Sequence, residues 1–257
     1  MNMSTAQIRF ATLWRREVSR FMKIKKQTLG APLLETFLYI SVFGAALGSR
    51  IKQLHGIDYV VFVIPGLIMM AWATNSFANN SSSILQQKFQ GAIHDQLSSP
   101  ASPAELLLAF SLGGFMRGLI VAALTFVVAS ILVALPVEHV LVLIPSLFLV
   151  GFFFSQLGVL IGVRAEQFDD VAIAQTFVLT PLIFLGGVFY SAALLPQPFQ
   201  TLTKFDPVYY MISLVRYGFV GYSEVSIPLS LLALTGATAA LFVFNLRLFS
   251  RGYKLRA

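Results

Sequence analysis

Cysteine is absent from all 257 residues, which excludes disulfides, thiolate catalysis and cysteine-based metal sites. Charge is scarce as well: Asp, Glu, Lys and Arg make up 11% of the chain, against about 25% in soluble domains. The three histidines, His55, His94 and His139, stand apart from one another. None belongs to an H-E-x-x-H spacing or a His/carboxylate cluster, so no metal site is expected. No G-x-x-x-x-G-K-[ST] loop is present to cradle a nucleotide phosphate, and no G-x-S-x-G marks a nucleophile. No residue is therefore nominated as catalytic. Residues 1–28 also lack the apolar run and small-residue cleavage site of a signal peptide, so the first apolar segment is expected to remain in the mature protein.

What fills the chain instead is apolar: 57% of its residues are hydrophobic and its mean hydropathy is +0.79. A soluble core in a chain of this length could not hide that much apolar surface. The net charge of +7 could point to nucleic acid, but its distribution points to a membrane. Seven bases precede the first apolar segment (Arg9, Arg15, Arg16, Arg20, Lys23, Lys25, Lys26), and four follow the last (Arg247, Arg251, Lys254, Arg256). Basic ends flanking apolar spans are what membrane topology and anionic headgroups favour. No nucleic-acid partner is expected; membrane lipids are.

A spanning helix needs about 20 mostly apolar residues. Six segments qualify: 29–48, 59–78, a long one within 106–135, 140–163, 171–189 and 227–249. The fold class is thus an all-α membrane protein with six transmembrane helices. Six spans place both termini on one side, with thirteen Lys and Arg there against four on the other. The positive-inside rule makes that side cytoplasmic. Two units follow: residues 1–28 as an amphipathic interface helix, and 29–257 as the transmembrane domain.

Four regions carry functional signals. In the N-terminal segment Ile8, Ala11, Trp14, Val18 and Phe21 form one helical face, with Arg16 and Arg20 among the bases opposite, a pattern that lies flat in the interface. Within residues 83–97, Leu85, Phe89, Ile93 and Leu97 repeat every four, with Lys88, His94 and Asp95 among the polar residues around them. That stretch is too short and polar to span, but suits a groove on a soluble partner. The spans near Met70, Trp72, Asn75 and Phe77, and near Phe177, Thr180 and Phe184, mix aromatic and polar groups. Such a mixture is wrong for lipid and fits a cavity for an amphipathic substrate. Glu35 and Arg117 are ionisable groups inside spans and hence candidates by default. Residues 190–224 are rich in proline and aromatics; a buried helix re-entering the outer leaflet accounts for them better than a solvated loop. Asp169 and Asp170 read as an N-cap for the fifth span.

These segments together resemble the permease subunits of type-2 ABC exporters, the bacterial family of drug, polysaccharide and nodulation-factor exporters. The resemblance rests on VIPGLIMMAWATNSF (63–77), DQLSSPAS (95–102), QFDDVAIAQTFVLTPLIFLGGVFYSAALLP (167–196) and FDPVYYMISLVRYGF (205–219). The family usually has Asn before the last proline, where this chain has Asp206. The resemblance implies a homodimer in the bacterial inner membrane with two separate ATP-binding cassette subunits, which hold the ATP and Mg; no cofactor belongs to this chain. It makes 83–97 the coupling helix, with Arg16 and Arg20 of the interface helix beside it. It makes the second and fifth spans the substrate pathway, and Tyr190, Pro207, Tyr210 and Arg216 part of an outer gate. The rival expectations are an ion-driven secondary transporter, for which no inverted repeat is visible, and a non-transporting membrane scaffold.

Overall fold

The structure is a computed structural model that describes residues 5–44, 48 and 51–255. It is a helical bundle whose only strands, among the described residues, are β1 (Gln53–Leu54) and β2 (Ile57–Asp58), a two-residue antiparallel ladder. The helices are α1 (Thr5–Lys23), α2 (Lys25–Val42), α3 (Tyr59–Phe89), α4 (Ala92–Ser98), α5 (Pro103–Leu132), α6 (Val140–Arg164), α7 (Phe168–Ala174), α8 (Thr180–Leu185), α9 (Gln197–Thr203), α10 (Pro207–Val220) and α11 (Ile227–Arg251). A π-helical turn, Gln175–Leu179, joins α7 to α8 without a break.

Helix is the expected answer to this composition, because lipid offers no hydrogen bonds and each span must satisfy its own backbone. Five described helical segments are long and apolar enough to cross a membrane: α3, α5, α6, the α7–α8 unit and α11. The first predicted span begins as α2, and its far end includes residues 45–47, outside the described ones. Arg50 and Arg256, both used in the charge count, also lie outside them. The interface helix ends at Lys23 rather than near residue 28, since the chain turns at Ile24 and α2 starts at Lys25.

The spans differ in how they start. Ser102 and Glu105 form a reciprocal capping box, with Ser102 N–H donating to Glu105 Oε2 (2.7 Å) and Glu105 N–H to Ser102 Oγ (3.2 Å). Pro103 follows at the first helical position, where its missing N–H costs nothing. At α7 the cap is Gln167, and Asp170 sits three residues on, accepting from the N–H groups of Glu166 and Gln167. The acidic pair therefore lies inside the first turn and is not the cap itself. Both places suit an anion at the positive end of a helix.

Helix α3 is the axis of the bundle, packed against both α5 and α6, which also touch each other. Both neighbours approach through a G-x-x-x-G step, Gly114–Gly118 and Gly158–Gly162, the spacing that lets apolar helices meet backbone to backbone. A Cβ added at Gly158 would lie 2.4 Å from the carbonyl oxygen of Phe77. Main chain cannot step aside as a side chain can. Gly158→Ala is expected to destabilise the bundle by about 1–3 kcal/mol, read as a lower melting temperature in detergent. Gly236 in α11 has nothing within 4 Å of the same added atom, so Gly236→Ala should leave the melting temperature unchanged or higher.

A polar thread crosses this apolar interior. Asn80 on α3 donates to Ser155 Oγ on α6 (2.7 Å), and Ser155 donates to the Ser111 carbonyl on α5 (2.5 Å). Gln156 donates to Ser111 Oγ (2.7 Å), and Asn245 on α11 to Gln156 Oε1 (2.8 Å). Four spans are thereby pinned in one register.

Candidate functional site

A cavity of about 380 Å³ opens between α2, α3, α5 and the π-turn–α8 unit. Helix α3 supplies Ala71, Thr74, Asn75 and Ala78, a stripe at steps of three and four. Helix α2 supplies Gln27, Ala31, Glu35 and Tyr39, again one face, and α5 supplies Arg117. Gln175 and Thr180 come from the π-turn and the start of α8, with Thr180 Oγ1 donating to the Gln175 carbonyl at 3.0 Å. The wider π-turn precedes Pro181, which has no N–H to continue a regular ladder.

Of the residues expected to line a pathway, Met70, Asn75, Thr180 and Phe184 do line this cavity. Trp72 and Phe77 do not. At 3.6 residues per turn, a step of two goes round more than half the helix, and each lies two residues beyond a lining position. Trp72 is instead packed at Gly118 and Gly151 and lines a separate, apolar cavity of about 290 Å³ with Ile68, Phe126 and Phe219. Phe77 is buried against Gly158. Phe177 is 73% exposed and is not among the lining residues. Glu35 and Arg117, flagged only as buried charges, belong to the wall. Tyr39 and Thr36, which sequence reasoning passed over, follow from Glu35 as its helical neighbours.

The end of the bundle that carries α1 and α4 holds the predicted coupling residues, in an arrangement the repeat did not foresee. Residues 83–97 are not one helix. Gly91 takes a left-handed conformation (φ +71°) that ends α3 and turns the chain into the seven-residue α4, a common helix terminator. The break splits the repeat: Leu85 and Ile93 are buried, Leu97 is half-buried against the core, and Phe89 stays 59% exposed. Phe89 stacks on Phe168 at 5.4 Å between ring centroids. Lys88 donates to the carbonyls of Val163 (3.0 Å) and Ala165 (2.5 Å), supplying the open C-terminal end of α6 with a cation.

Arg16 and Arg20 also have partners within the chain. Arg16 donates to Gln87 Oε1 (3.1 Å), Gln96 Oε1 (2.8 Å) and Glu17 Oε1 (3.1 Å). Arg20 donates to the carbonyl and Oδ1 of Asn79, both at 2.8 Å, and its Nε lies 3.6 Å from Glu17 Oε2. Glu17 was not anticipated, though it is the lone acid of α1, and it is buried at the centre of this cluster. Nearby, Lys254 Nζ lies 2.6 Å from Glu166. The ammonium holds the Glu166 carboxyl below its usual range.

At the opposite end Arg216 is fully buried on α10. It donates to the carbonyls of Gly187 (2.8 Å) and Phe62 (3.3 Å), covers the Phe62 ring at 3.8 Å and faces Glu224 at 3.8 Å. Pro207 opens α10, capped by Asp206, whose Oδ1 accepts from Val208 N–H at 2.8 Å. Tyr190 donates to the Phe184 carbonyl (2.8 Å) and Tyr210 to that of Lys204 (2.8 Å). The four expected gate residues thus hold helix ends and turns together.

Apolar spans around a partly polar cavity define a polytopic membrane protein. The ABC-2 type transporter family matches residues 8–220, and the chain belongs to that family. It is 40% identical to the inner membrane transport permease YadH of Escherichia coli K12 over 246 residues, 96% of each chain. It is 26% identical to Nodulation protein J of Rhizobium meliloti over 249 residues, 93% of this chain and 92% of that one. It is therefore a multi-pass inner-membrane protein and a permease subunit of an ABC transporter. Permeases of this family work in general with ATP-binding cassette partners.

Proposed function

We infer that the chain is the membrane half of an exporter that moves an amphipathic molecule outward, driven by ATP hydrolysis on a separate subunit. The carrying observation is the cavity of about 380 Å³, whose wall combines Glu35, Asn75 and Arg117 with Tyr39, Met70 and Phe184. Lipid-facing surface has no use for those polar groups, whereas an amphipathic cargo matches both halves. In this reading two copies face each other and two cassette ATPases, holding ATP and Mg, dock on the end that carries α1 and α4. The thirteen-to-four excess of Lys and Arg supports a cytoplasmic position for that end. Helix α10, 14 residues long and so only about 21 Å, is then a re-entrant element of the outer gate.

The transport cycle alternates access. Nucleotide closes the ATPase pair, α4 follows, and the α1–Gln87–Gln96 contacts carry the movement into α3, where the cavity stripe lies. Nucleotide must favour one bundle arrangement over the other, since equal affinity for both shifts nothing. Phe89 is the clean probe of docking, being exposed where Leu85 and Ile93 are core. Phe89→Asp is expected to abolish ATP-dependent transport and co-purification of the ATPase while leaving membrane insertion and melting temperature near wild type. Unimpaired transport would remove the docking role from this segment.

The reading as a whole is tested by mild-detergent purification from the native membrane with mass spectrometry of co-purifying subunits. A stoichiometric soluble partner bearing a G-x-x-x-x-G-K-[ST] loop is expected. A chain that runs alone in several detergents would move the next test to ion gradients in liposomes.

A further inference from the structure

Arg117 has no acid to pair with. It sits on α5 fourteen residues after Pro103, about 21 Å along the helix axis, far from either end of a 30-residue span. Among the described residues no carboxylate lies within 4.0 Å of it. Its one described hydrogen bond is Nη2 to Asn75 Oδ1, long at 3.4 Å and to a neutral amide. Its Nε is buried and makes none. Glu35 shares the cavity wall but forms no ion pair with it.

Arg117 is half-buried; a charge held inside a span without a partner is costly, and such charges face bundle interiors or wet cavities. The cavity gives Arg117 such a place, and a ligand can supply the missing anion. A guanidinium offers a planar fork of donors that matches phosphate or carboxylate oxygens two at a time. Beside it the Asn75 Nδ2 donates to the Ala71 carbonyl at 2.9 Å, and the Thr74 and Thr180 hydroxyls donate to the carbonyls of Met70 and Gln175, which leaves the guanidinium as the anion donor of this wall. Tyr39, Met70, Ile183 and Phe184 of the same wall offer apolar area to a chain or ring attached to the headgroup.

We propose that this cavity binds an anionic amphiphile, with Arg117 gripping its phosphate or carboxylate group. The proposal rests on the reading that the cavity is the cargo site and narrows that cargo to a charged class. It needs neither ATP nor a partner subunit, so it is tested on the purified full chain in the neutral detergent dodecyl maltoside.

Calorimetric titration with dodecyl phosphate, laurate, dodecyl glucoside and inorganic phosphate separates the possibilities. Saturable binding of dodecyl phosphate or laurate is expected, with the tighter of the two identifying the anion. Dodecyl glucoside and inorganic phosphate should bind at least tenfold more weakly, one lacking the charge and the other the tail. Arg117→Gln should weaken binding of the preferred anion by about tenfold or more, the scale of a lost charge-assisted contact. Arg117→Lys, which keeps the charge, should retain a large part of it, and the melting temperature of each unliganded variant shows whether the fold survives. Equal binding by wild type and a folded Arg117→Gln overturns the proposal, as does indifference to headgroup charge. Either result would leave an exporter of neutral cargo standing. Absence of an ATPase partner would remove the exporter and leave the anion site.

Discussion

Arg216→Leu is expected to destabilise the folded chain by about 3–5 kcal/mol, the cost of breaking a buried pair by removing one partner. The Arg216 side chain is 2% exposed and Glu224 7%. Without the guanidinium the Gly187 and Phe62 carbonyls lose their donor, and the Glu224 carboxylate loses its cation while keeping the Ala192 N–H at 3.1 Å. The loss reaches three separate pieces of chain: the Gly187 turn, the start of α3 and the residues after α10. Size-exclusion melting curves in detergent should show a large fall in midpoint or loss of the monodisperse peak. Arg216→Lys should be intermediate, because a single ammonium cannot reproduce the fork that spans both carbonyls. Adding Glu224→Gln to Arg216→Leu should recover part of the loss by removing the stranded charge. A double variant no better than Arg216→Leu alone would mean that the carbonyl contacts, not the ion pair, dominate.

Glu17→Leu should be comparably severe, with a different signature. Glu17 accepts from Ser83 Oγ (2.6 Å), Gln87 Nε2 (3.0 Å) and Arg16 (3.1 Å), with Arg20 at 3.6 Å. An apolar side chain there strands two cations and two buried donors, again about 3–5 kcal/mol by the same reasoning. Because those contacts fasten α1 to α3, the helix should detach before the bundle melts. The observable is trypsin cleavage at the Lys23–Lys25–Lys26 junction between α1 and α2, slow in wild type and fast in the variant. Glu17→Gln keeps an acceptor oxygen and the volume, so it should sit between the two. If cleavage stays slow in Glu17→Leu while the melting temperature falls, α1 is held by its apolar face and not by this cluster.

Both residues show why function and stability are hard to separate by reading a sequence. Arg216 looks like a loop charge in a run of aromatics, and Arg16 and Arg20 look like free bases of an interface helix. Each is in fact spent on carbonyls and amides that come from distant helices. Lys88 is a similar case: in sequence it is the basic residue of an amphipathic stretch, but in the structure it closes the end of α6.

The membrane class, the positions of five spans and the existence of an amphipathic N-terminal helix were set by the sequence alone. Span length follows from the thickness of hydrocarbon, and the backbone must satisfy itself within it, so composition and run length suffice. Polar groups inside those runs were also legible: Glu35, Asn75, Arg117 and Thr180 stand out against their neighbours. Only the tertiary structure decided which of these groups meet. Met70 and Asn75 face the cavity while Trp72 and Phe77 face packed helices, because rotation of α3 is set by its two glycine-lined neighbours and not by α3 itself. The coupling stretch breaks at Gly91 because one left-handed residue can redirect a helix whose periodicity runs on unchanged. Partners of Glu17, Arg117 and Arg216 include Ser83, Asn75 and Phe62 on α3, far away in sequence, and that distance is closed by packing, which no local pattern records.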